Sequence, residues 1–150
     1  MSIGLQIARA VAKELDHDDV YARAQTLGNQ AVRLKPAQIS GLESIANGSR
    51  KVSDVLNYVK LRTARHKEWQ ADQLGANLLH EIEQQLRRQC DGICSELAPQ
   101  LSQNEERQRA YIRQDIYMRL IRGFVAQVAA QYAYAKMLQE RKAKDGAQPD

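Results

Sequence analysis

At 150 residues the chain is long enough to build a core without disulfides or a structural metal, and it reads most simply as one domain over residues 1–150. Abundant Ala, Gln, Leu, Arg and Glu, with 5% aromatic residues and three prolines, exclude a strand-rich fold and predict an all-α protein: a single helical bundle of about five or six helices with a long C-terminal helix. The formal charge of +4 is modest but unevenly spread. Residues 31–70 carry eight basic and three acidic side chains, 71–106 two and seven, and 107–144 nine and two. Two basic segments flanking an acidic one predict oppositely charged helices packing as neighbours, a basic face for a polyanion, or both.

In chain order, the N-terminus from about Ser2 to Leu15 reads as an amphipathic helix with Ile3, Ile7, Val11 and Leu15 on one stripe, not as a leader sequence. The acidic tract after it places Asp18 or Asp19 as N-cap of a second helix carrying Val20, Ala24, Leu27, Ala31 and Leu34. Pro36 suits a helix start and Gly48 a left-handed C-terminal cap, with Ile39, Leu42, Ile45 and Ala46 between them. Ser53 and Asp54 then read as caps of a fourth helix with Val52, Val55, Leu56, Val59 and Thr63 facing inward. Its outer face is basic, with Lys60, Arg62, Arg65, His66 and Lys67 leading to Trp69.

Asp72 reads as the cap of a helix in which Leu74, Leu78, Ile82, Leu86, Cys90, Ile93 or Cys94, and Leu97 recur, ended by Pro99. Cys90 and Cys94, one turn apart on that apolar face, are expected as buried free thiols in a reducing, cytoplasmic setting. The strongest helical signal comes last. Ser102 and Glu105 read as a capping box starting a helix from Gln103 to about Arg141, with Ile112, Ile116, Leu120, Phe124, Val128 and Tyr132 every four residues. Arg119, Arg122, Gln127 and Gln131 interrupt the apolar run and exclude a membrane span. A frayed tail is expected over about residues 145–150.

Catalytic constellations are not apparent. His80 and Glu81 begin a zinc-protease-like pattern, but Gln84 stands where the second histidine belongs. No phosphate loop, dinucleotide fingerprint or nucleophile elbow occurs, and Glu81 and Glu83, two apart on a helix, point to different faces. His17 and His66 read as surface side chains. No enzyme activity and no cofactor are expected. Two stretches do interleave cations with aromatics: Tyr58 to Trp69, and Arg107 to Arg122 with Tyr111 and Tyr117. Such cations can neutralise phosphates, and exposed aromatics can stack on unpaired bases.

The order of LKPAQISGLESIA, VLNYVKLRTARHKEW, LLHEIEQQL and IYMRLIRGFVAQVAAQYAYAK, from Leu34 to Lys136, resembles the small α-helical subunit of type III CRISPR effector complexes, most closely the Csm-type subunit or that of a related subtype. The chain departs from that pattern in an extra N-terminal helix, a longer Arg87 to Gln103 connection and a basic tail. The resemblance implies a non-catalytic subunit that stacks in several copies, contacts the backbone of the guide RNA and target RNA duplex, and assembles with other CRISPR effector subunits and copies of itself. Phosphate contacts are expected at Arg50, Lys51, Arg62, Arg65, Lys67, Arg113, Arg119 and Arg122. The alternative from the residues alone is a helical protein-interaction adaptor that touches no nucleic acid, working through exposed apolar residues such as Leu61 or Met137.

Overall fold

The structure, a computed structural model, describes residues 1–146. The described residues form an all-α bundle without strands. Helices α1 (Ile3–Leu15), α2 (Asp18–Gln30), α3 (Pro36–Gly48) and α4 (Val52–Arg65) are followed by the single turn α5 (Lys67–Gln70). Next, α6 (Leu74–His80), a π-helical stretch (Glu81–Leu86) and α7 (Arg87–Glu96) run on as one rod. A second single turn, α8 (Ala98–Leu101), leads to α9 (Glu106–Gly146), 41 residues and about 60 Å long. No helix among the described residues is long and apolar enough to cross a membrane.

α9 forms the axis. Ile116, Tyr117, Met118, Leu120, Ile121, Phe124, Val125, Val128, Ala129 and Tyr132 are all buried, an apolar surface too wide for one neighbour. It packs along α2 above all, and also against α1, α3 and α7, while α4 lies on α3 and α6. The periodic residues of the other helices meet it in one continuous core that includes Ile7, Val11, Val20, Ala24, Leu42, Val59, Leu78, Ile82 and Ile93. The α2–α9 crossing is tight enough to require glycine. A β-carbon on Gly28 would lie 2.5 Å from Gln131 Cβ and 2.9 Å from the Val128 carbonyl.

The polar residues in α9 have a common task. A helix leaves its last carbonyls without partners, and α9 supplies donors to several helix ends. Gln127 Nε2 donates to the Leu15 carbonyl at the end of α1 (2.8 Å), and Arg122 to the carbonyls of Ala46 (3.1 Å) and Ser49 (3.3 Å) at the end of α3. Past α2, the Tyr132 hydroxyl (2.7 Å) and Lys136 Nζ (2.8 Å) both donate to the Leu34 carbonyl. Inside the π-helical stretch the Ile82 carbonyl accepts the Tyr117 hydroxyl.

The expected helix ends are corrected at several points, by these long-range contacts at the ends of α2 and α3 and by local groups elsewhere. α2 stops at Gln30 and continues as a 3-10 turn, Ala31–Arg33, with Leu34 tied to α9 instead of helical. Gly48 lies within α3 and is not a left-handed cap, since no glycine among the described residues has positive φ; Arg122 donates to the carbonyls at that end instead. The Asp18 or Asp19 cap is supplanted by His17, whose Nδ1 accepts from Asp19 N–H (3.3 Å). Ser53 and Asp54 do not cap α4; Ser49 bridges that junction, its Oγ accepting from Lys51 N–H (3.1 Å) and donating to Asp54 (2.7 Å). Asp72 does not cap α6 but turns the chain, in left-handed backbone together with Gln73 (φ 54° and 58°). The α7 helix ends at Glu96, and Pro99 falls inside α8. The Ser102 capping box is absent: its hydroxyl donates to the Pro99 carbonyl (2.9 Å), and Gln108 accepts from Glu105 N–H (3.4 Å) where α9 begins. α9 also runs past Arg141, so Asp145 and Gly146 are helical, and the remainder of the expected frayed tail lies outside the described residues.

Candidate nucleic-acid interface

The polar loop between α3 and α4 presents Arg50 and Lys51 beside the first turns of α9, where residues 105–111 are exposed. Between loop and helix runs a groove of about 980 Å³. Along α9 its wall is the stripe Arg107, Tyr111, Met118 and Arg122, whose spacings of four, seven and four residues keep them on one helix face over about 22 Å. Ile112 and the buried Met118 give it an apolar base, and Tyr111, 69% exposed, stands beside them. The amide of Gln114 ties the walls together by donating to the Arg50 carbonyl (2.7 Å).

The charge balance in the groove is one-sided. Arg50, Lys51, Arg107 and Arg122 line it and form no ion pair among the described residues. The one carboxylate among the lining side chains, Asp115, is neutralised by Arg119 (3.0 Å).

The expected phosphate contacts therefore separate into groups. Arg50, Lys51 and Arg122 come together in the groove, although two of the donors of Arg122 are committed to α3. Arg62 and Arg65 in the last turn of α4, with Lys67 just beyond it at the start of α5, sit about 20 Å along that helix from Lys51. There Arg62 is half-buried with its guanidinium 5.0 Å from the centre of the Tyr58 ring, while Arg65 and Lys67 are exposed and unpaired among the described residues. Arg113 is drawn to Asp91, which holds its guanidinium pKa above the usual value. Arg119 serves Asp115. For Arg113–Asp91 and for Arg33–Asp72 (3.7 Å) the segregated charge is thus spent on pairing between basic and acidic segments.

The expected stacking aromatics need a sharper correction. Trp69 is fully buried, edge-on to Tyr58 with ring centres 6.2 Å apart, and the Tyr58 hydroxyl donates to the Gln38 carbonyl (3.2 Å). Tyr117 is buried, and burial pushes its phenol up to about 12. Of the four aromatics in the two interleaved stretches, Tyr111 alone is an exposed ring.

Two structural features are not read from the sequence. Arg107 is one of many arginines until the fold sets it one turn from Tyr111 in the groove; the i,i+4 spacing is the available signal. Glu81 is buried and pairs with Arg23 Nε (2.8 Å) across 58 residues, a partner that local sequence cannot reveal. Exposed His80 and buried Glu81 thus diverge. Cys90 is buried, Cys94 half-buried, and both are free. Burial pushes the Cys90 thiol up to about 12 and raises that of Cys94, so neither is a thiolate near neutral pH. Comparison with known protein families, curated proteins and solved structures finds no match to this chain.

Proposed function

We propose that this chain is a non-catalytic small subunit of a cytoplasmic CRISPR ribonucleoprotein effector complex, stacking in several copies and contacting guide RNA and target RNA through a basic face. The observation that carries the reading is the groove: Arg50, Lys51, Arg107 and Arg122 line it, and its single carboxylate is already paired. Such a surface attracts a polyanion through phosphate contacts, which position a strand without reading its sequence. Arg65 and Lys67 at the far end of α4 add a second place where a phosphate backbone can rest. The family resemblance over Leu34 to Lys136 supplies the identity of that polyanion.

Purification of the tagged protein from its native host, with co-purifying RNA sequenced and partners identified by mass, tests the proposal. Repeat-derived guide RNA together with large CRISPR subunits is the expected result. Other proteins without guide RNA would overturn it in favour of an interaction adaptor, for which Leu61, 51% exposed, is a more natural contact than the half-buried Met137.

A further inference from the structure

A phosphate-tracking surface needs only cations. The groove between the α3–α4 loop and α9 offers more than that: an exposed aromatic ring, Tyr111, above an apolar base made by Ile112 and Met118. A nucleic-acid duplex presents phosphates and sugars at its surface and keeps its base faces stacked inside, so it would leave both features facing water. An unpaired strand presents phosphates and apolar base faces together, which matches cations interleaved with an exposed aromatic.

We infer that this groove takes an unpaired stretch of RNA, with Tyr111 as the stacking platform for one base and Arg50, Lys51 and Arg107 on the neighbouring phosphates. The inference rests on the reading of the chain as an RNA-binding subunit and names the form of RNA held at this site. The geometry suits the task. Arg107 and Tyr111 are one helical turn apart on the same face, so a base on the ring has a guanidinium within reach of its backbone. Gln114 holds the Arg50 loop against the helix, which keeps Arg50 and Lys51 in the same groove as the ring. The basic end of α4 lacks this combination, because Trp69 is buried and Arg62 covers Tyr58.

The test uses the full chain, a labelled oligouridylate and an RNA duplex of equal length, with fluorescence anisotropy at several salt concentrations. Tyr111→Leu is expected to weaken oligouridylate binding roughly five- to one-hundredfold, to change duplex binding less than about twofold, and to leave the salt dependence intact. Tyr111→Trp restores the single-strand affinity. Thermal melts of both variants should match the parent, since the ring is exposed. Unchanged oligouridylate binding in Tyr111→Leu, or an equal loss on the duplex, overturns the inference. Binding of the duplex alone overturns it while leaving the RNA-binding reading in place. Binding of neither RNA at low salt overturns both.

Discussion

The basic end of α4 and the groove beside α9 look alike as sequence, each a run of arginines and lysines broken by aromatics, and the fold makes them different surfaces. At α4 the aromatics belong to the core: Trp69 is fully buried, and Tyr58 is held by Gln38 and covered by Arg62. At the groove the ring of Tyr111 is left in water between cations without carboxylate partners. The difference arises from what lies beneath each ring. α4 and α5 press onto α3 and α6 at Trp69, whereas the first turns of α9 leave the bundle before its buried face begins at Ile116. Interleaved charge and aromaticity therefore leaves a ring open to a ligand only where the helix stands clear of its neighbours.

The largest contrast concerns the two rings themselves. Trp69→Ala should cost about 3 to 5 kcal/mol, a fall in Tm of roughly ten degrees, while Tyr111→Ala should change stability by less than about 0.5 kcal/mol. Calorimetry of the pair checks this directly, and equal losses would erase the distinction between the regions.

Tyr117 sharpens the comparison, because it lies in the same basic stretch as Tyr111 but belongs to the core. Its folded pKa is raised, as is that of Cys90, so the stability their neutral forms contribute is fully present below the ordinary values of 10.0 and 9.0 and is lost as pH rises towards about 12. Tyr117→Phe should flatten the alkaline decline by at most about 1.4 kcal/mol per pH unit above pH 10. It should also lower stability at neutral pH by about 1 to 3 kcal/mol, because the Ile82 carbonyl loses its donor. Denaturant melts across the pH series measure both effects.

Arg122 tests whether the groove is separable from the scaffold. Arg122→Met should cost about 1 to 3 kcal/mol by orphaning the Ala46 and Ser49 carbonyls, and should weaken RNA binding as well. The smallest structural effect is expected at α4. Arg62→Ala, Arg65→Ala and Lys67→Ala combined should reduce stability by about 1 kcal/mol or less, most of it from the Arg62–Tyr58 contact. Where these side chains meet phosphates, salt-titrated RNA binding should lose up to about 0.9 of slope per contact removed. An unchanged slope would assign the RNA to the groove alone.

The core was legible in the sequence, because packing reads the helical period directly: Val20, Ala24 and Leu27, or Leu78, Ile82 and Leu86, recur at the spacing that buries them. The helix ends were not: some are finished by neighbours that compete with the expected cap, as His17 does with Asp18 and Asp19, and others by groups far along the chain. Arg122 reaches Ala46 across 76 residues, and Tyr132 reaches Leu34 across 98. The same blindness affects the interface. Arg50 and Lys51 stand out in a polar loop, but the sequence alone cannot tell that Trp69 faces inward, that Asp91 occupies Arg113, or that Arg107 and Tyr111 line a groove with that loop.

Ultraviolet crosslinking of the protein to its co-purified RNA, with the adducts mapped by mass, tests the groove as the RNA face most directly. Adducts on the segments containing Tyr111 and Arg50–Lys51, and none on the buried Trp69, are the result expected here. Adducts confined to other surfaces, with both groove walls unmodified, would contradict the account.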